Sequence, residues 1–145
     1  MPRRAPFVPA AALAVLAAMP AAAQDAASGR DLFLAHCAYC HGEGAAGDGP
    51  RAAVLNPPPA DLTRLAEGNG GVFPVERTIF RIDGRDPLVA HGSPMPVFGG
   101  FFDGADAMVK SESGQPVLTS RPIADLVAFL ATIQRGAAPS APASP

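Results

Sequence analysis

Residues 37–41 read Cys37-Ala38-Tyr39-Cys40-His41, and this "CAYCH" holds both cysteines of the 145-residue chain and one of its three histidines. Two thiols at this spacing, with an imidazole directly after the second, admit a zinc site, a disulfide or an attachment point for haem. A structural zinc ion takes four ligands, and no second pair with ligand spacing follows. A thiol–disulfide active site expects a preceding strand and a β-α-β pattern, and neither is readable in this sequence. A structural disulfide across so short a loop stabilises little. Haem attachment uses the same spacing for a geometric reason: two neighbouring thiols bond two neighbouring vinyl-derived carbons, and the next imidazole is carried under the iron. The motif alone leaves these readings open, and the rest of the chain has to choose between them.

Upstream, Arg3 and Arg4 precede the apolar run "FVPAAALAVLAAMP", and Ala21 and Ala23 offer small residues before Gln24. Residues 1–23 therefore read as a cleaved signal peptide, which places the rest in the periplasm or an equivalent exported compartment. A membrane anchor would need about 20 uninterrupted apolar residues, and Pro9 and Pro20 break this run. Without Arg3 and Arg4, nine basic residues face 13 acidic ones. A mildly acidic chain of this kind is no nucleic-acid surface.

Downstream, three stretches carry helical signals. Residues 28–39 offer Ser28 as N-cap, Asp31 in the first turn, and the run Leu32, Phe33, Leu34. "VERTIFRI" spaces Val75, Ile79 and Ile82 three and four apart. "TSRPIADLVAFLATIQRG" has Thr119 or Ser120 as cap and Pro122 in the first turn, with Ile123, Leu126, Val127, Leu130 and Ile133 as one stripe and Gly136 as the stop. The intervening segments, "GEGAAGDGP", "NPPPADL", "EGNGG" and "HGSPMPVFGG", are turn formers. No strong strand alternation is present, although "QPVLTS" could pair briefly, and residues 136–145 read as a disordered Pro/Ala/Ser tail. A domain over 24–135 with three modest helices and no tryptophan has a thin core. A large apolar cofactor would give it something to bury against.

On these residues the chain resembles the class I c-type cytochromes, specifically the bacterial monohaem cytochromes c, over most of 28–135. The quoted matches are "SGRDLFLAHCAYCHG", the turn "GDGP", and the last helix "RPIADLVAFLATIQ". The resemblance implies an all-α, small cytochrome c fold: three to four helices and long loops wrapped around one covalently bound haem c. Cys37 and Cys40 would carry the thioethers and His41 would ligate the iron. Gly29 and Phe33 would meet Phe129 where the first and last helices cross. The Pro50 carbonyl would accept from His41, "NPPPADL" would wrap the haem edge, and Arg51, Arg81 and Arg85 are candidates for the haem propionates.

The second axial ligand is expected to be Met95. Pro94 and Pro96 stiffen the backbone on both sides of it, and the segment resembles the methionine loop of bacterial cytochromes c. His91, on the same loop, and Met108 are the competitors, while His36 lies too close to Cys37 to reach the other face and is expected to be exposed or capping. The leading expectation is a periplasmic electron-transfer protein that cycles between Fe(III) and Fe(II) with unidentified redox-partner proteins and transforms no substrate. One alternative is a haem subunit of a larger periplasmic dehydrogenase or oxidase, docked through residues 101–118. The other is a five-coordinate, ligand-binding haem protein. A single lysine, Lys110, argues against docking through a lysine ring.

Overall fold

A computed structural model describes residues 24–86 and 95–136. The first helix, α1 (Ala26–His36), starts at Asp25 and not at Ser28. Asp25 has extended backbone angles and its carboxylate accepts from the Ala27 N–H at 2.9 Å, satisfying an otherwise free amide of the first turn. Ser28 lies within the helix and donates its hydroxyl to the same carboxylate at 2.7 Å. The Ser28 hydroxyl, followed by backbone amides of this turn, holds the Asp25 carboxyl below its usual range. The helix ends at His36, and after Cys37 the single turn α2 (Ala38–His41) follows. The break comes three residues before the expected Tyr39.

Short 3-10 turns at residues 52–54, 62–64 and 67–69 lead to α3 (Val75–Asp83), whose Thr78, Ile79 and Ile82 are buried. Ile79 and Ile82 carry the expected stripe, with Val75 half-buried at the helix start. After the second described stretch begins at 95, the chain forms β1 (Asp106–Lys110) and β2 (Pro116–Ser120), an antiparallel hairpin in which Met108 faces Leu118 and Val109 faces Val117. The helix-rich character of the expected cytochrome c fold is present, and the described residues add a small two-stranded sheet to it. Val109 and Val117 point inward, while Met108 and Leu118 point out.

The last helix, α4 (Arg121–Thr132), follows β2 without a linker and buries Ile123, Ala124, Leu126, Val127, Phe129 and Leu130. It stops four residues short of Gly136. Gln134 turns back to donate to the Leu62 and Leu130 carbonyls and to accept from the Ala66 N–H, and the Arg135 N–H donates to the Thr63 carbonyl at 2.7 Å. These bonds draw the chain out of the helix.

Helices α1 and α4 cross as expected, with Gly29 at the crossing. A Cβ there would overlap the Asp125 carbonyl. One turn along, Phe33 and Phe129 pack with ring centroids 5.3 Å apart. The buried Asp125 carboxylate accepts the Asp25 N–H at 2.7 Å and pairs with Arg121 at 3.2 Å, which ties the starts of both helices together. Gly29→Ala is expected to lower stability by about 1–3 kcal/mol through this overlap, whereas Gly44→Ala, which meets no neighbour within 4 Å, should leave the thermal midpoint unchanged. Phe33→Ala, removing a fully buried ring, should cost roughly 3–5 kcal/mol in denaturant unfolding.

Candidate haem-binding site

The motif residues are set out along one turn of backbone. The Cys40 and His41 amides both donate to the Cys37 carbonyl, at 3.1 and 2.9 Å. Cys37 and Cys40 are three residues apart, the separation at which side chains of a helical turn share a face. Both are half-buried free thiols. Burial, with the neighbouring Cys40 adding to it, pushes the Cys37 thiol up to about 11.

His41 is buried, and its Nδ1 lies 2.9 Å from the Ala60 carbonyl oxygen. A carbonyl only accepts, so Nδ1 carries the proton and donates, which leaves the Nε2 lone pair as the ring's free donor to a metal. Burial pushes the imidazole pKa below its usual value, and the Ala60 carbonyl opposes this only in part. A neutral ring of fixed tautomer is what metal ligation requires.

The expectation for Pro50 is corrected here: the carbonyl that orients His41 belongs to Ala60. The "GDGP" turn is folded back on α2, with the Gly49 N–H donating to the Cys40 carbonyl and the Arg51 N–H to Tyr39, and Pro50 itself is exposed. The Ala60 backbone comes close because Gly47 has no side chain. A Cβ at Gly47 would press on the Pro59 carbonyl at 2.5 Å, and the Gly47 N–H donates to the His41 carbonyl at 2.8 Å. The signal for this contact was the proline run itself, whose residues 57–59 lack amide donors and favour an extended backbone.

The arginines are engaged locally. Arg51 is exposed with its guanidinium 5.9 Å from the Tyr39 ring centre. Arg81 pairs with Asp86 at 3.1 Å. Arg85 pairs with Asp83, donates to the Leu118 carbonyl at 2.9 Å and lies 4.5 Å over the Phe80 ring.

Met95 is half-buried and packs against the hydrophobic core, as do Cys37, Leu62, Phe73, Val75 and Phe98. Met108 is 68% exposed on the outer face of the hairpin. His91 and Pro94 lie outside the described residues. His36 is neither free nor a cap: its ring packs edge-on against Phe101 and Phe102, a contact the sequence reading missed. Two surface clefts, of about 300 and 650 Å³, are lined by other residues than Cys37, His41 and Met95.

The donor set fits haem c. Two free thiols share a turn, the adjacent imidazole has one nitrogen fixed and the other free, and a partly covered apolar set that includes Cys37 and a thioether surrounds the core. Zinc fits poorly, because the described residues hold no group of three or more His, Cys, Asp or Glu side chains suited to a metal ion.

No curated protein and no solved structure matches the chain. Residues 24–109 match the family described as "Cytochrome C oxidase, cbb3-type, subunit III", a span that covers the haem motif, the Ala60 carbonyl and Met95. The chain belongs to that family, and its domain is a c-type cytochrome domain.

Proposed function

We propose that the protein is an exported electron carrier with one haem c, held through Cys37 and Cys40 and ligated by His41 and Met95. The observation that carries the reading is the buried His41 with Nδ1–H on the Ala60 carbonyl, one residue from a free cysteine. Family membership supports haem-based electron transfer. When bound, the haem supplies a one-electron Fe(III)/Fe(II) couple.

The chain's part is to hold the ligand set unchanged through that couple. Ala60 fixes the ring plane and tautomer of His41, and its carbonyl makes the imidazole a stronger donor. Thioether bonds at Cys37 and Cys40 would anchor the turn α2 and with it His41. As a ligand, the Met95 thioether would favour the reduced state more than an imidazole such as that of His91 would. Met95 is the preferred partner because it packs against the same core as Cys37, whereas Met108 sits outside on the hairpin. The apolar side chains of Leu62, Phe73 and Val75 keep water from the core side.

Export is supported by the signal-like residues 1–23. Among the described residues no helix is long and apolar enough to cross a membrane. The family's name gives a second reading some weight, in which this domain serves as a haem subunit of a larger oxidase. Purification at native levels separates the two: a free carrier elutes alone, and a subunit elutes with its complex.

Met95→Ala is expected to abolish the long-wavelength ferric absorption band that sulfur ligation implies, and to open the reduced protein to carbon monoxide. Persistence of the band in Met95→Ala, with its loss in Met108→Ala, would show the ligand to be Met108. His41→Ala should leave a covalently loaded protein lacking its low-spin spectrum.

A further inference from the structure

Three of the chain's eight phenylalanines fall within five residues, at Phe98, Phe101 and Phe102. Their rings form one cluster: Phe98 stacks on Phe102 at 5.4 Å, and Phe101 meets Phe102 edge-on at 5.2 Å. His36 completes it, with its ring 4.9 Å from Phe101 at 69° and 5.4 Å from Phe102 at 79°. Phe102 is buried, but Phe101 is 62% exposed. A ring that exposed adds little to the core, so its main partners are the rings around it, His36 among them.

The two sides of this contact lie at telling places in the chain. His36 is the last residue of α1 and directly precedes Cys37. Phe98 comes three residues after Met95. The segment bearing the phenylalanines is also tied to α3, where the Phe98 N–H donates to the Ile82 carbonyl at 2.8 Å. It then closes into a tight turn, with the Phe101 and Phe102 amides both donating to the Phe98 carbonyl at 2.9 Å. The chain just after Met95 is therefore held at one side by a backbone bond to α3 and at the other by the His36 ring.

We propose that His36 is a positioning residue that clasps Phe101 and Phe102 and so keeps the Met95 sulfur on the haem iron. The inference rests on the reading of Met95 as the axial ligand. Sulfur is a neutral, weak donor, so its occupancy depends on how seldom its segment opens. Edge-to-face ring pairs attract beyond the area they bury, and His36, at the end of the helix before Cys37, makes two of them with the segment that follows Met95. Losing these contacts raises the open fraction without touching Cys37, Cys40, His41 or Met95.

The test uses the full haem-loaded protein with His36→Ala, His36→Phe and Met95→Ala side by side. His36→Ala is expected to bind carbon monoxide in the reduced state about tenfold faster, the change that ~1.4 kcal/mol of lost ring packing gives. Its long-wavelength ferric band should weaken while haem content per chain stays at the wild-type level. His36→Phe, which keeps an aromatic ring, should restore both readouts. A wild-type carbon monoxide rate and band in His36→Ala, or no rescue by phenylalanine, would overturn the clasp. If Met95→Ala itself retains the band, the ligand assignment fails and the clasp with it. Loss in Met95→Ala combined with wild-type behaviour of His36→Ala refutes the clasp alone. Should His36→Ala fail to load haem, Phe101→Ala removes the exposed half of the same pair and is read by the same outcomes.

Discussion

The hydrogen bond from His41 to the Ala60 carbonyl is the constraint on which the site depends. It requires that a segment 19 residues downstream be brought against a one-turn helix. Gly47 permits the approach by lacking a side chain, and the Leu62 N–H donating to the Ala45 carbonyl at 2.8 Å holds the two segments together. The proline-rich stretch, an irregular loop by any local measure, is thereby part of what orients the His41 ring. Its stiffness matters because a mobile carbonyl would leave both tautomer and ring plane undetermined.

Around this point the fold works as a frame with two clamps. One is the crossing of α1 and α4, closed by Gly29, Asp125 and the Phe33–Phe129 pair. The other is the attachment of residues 98–102 to α3 and to His36. The first fixes the helix that delivers the cysteines, and the second fixes the chain that follows Met95. The family match ends at residue 109, so α4, which closes the first clamp, lies beyond it. The structure supplies that part of the account independently.

Much of this was legible in the sequence because it is carried by local pattern. The spacing of Cys37, Cys40 and His41 and the stripe on α4 follow from motif and periodicity, while the meeting of Gly29 and Phe33 with α4 is what the resemblance to class I c-type cytochromes implies. What the sequence concealed depends on contacts between distant segments. Of the hairpin, "QPVLTS" signals β2 but nothing marks its partner β1, because Met108 and Leu118 are apolar yet face outward and blur the alternation of a half-buried strand. The end of α4 was misjudged because Gln134 and Arg135 bond to residues 62–66 rather than continue the helix. The Pro50 carbonyl is what the resemblance implies, whereas the Ala60 carbonyl reaches His41 from 19 residues downstream, and an exposed or capping His36 is the local expectation because its ring partners, Phe101 and Phe102, lie more than 60 residues away.

The central claim is that the iron is held between the nitrogen of His41 and the sulfur of Met95. X-ray absorption at the iron edge of the oxidised, haem-loaded protein tests it most directly. The account predicts a single sulfur scatterer in the first coordination shell, absent from Met95→Ala. A first shell of nitrogen alone in the unmodified protein would contradict it.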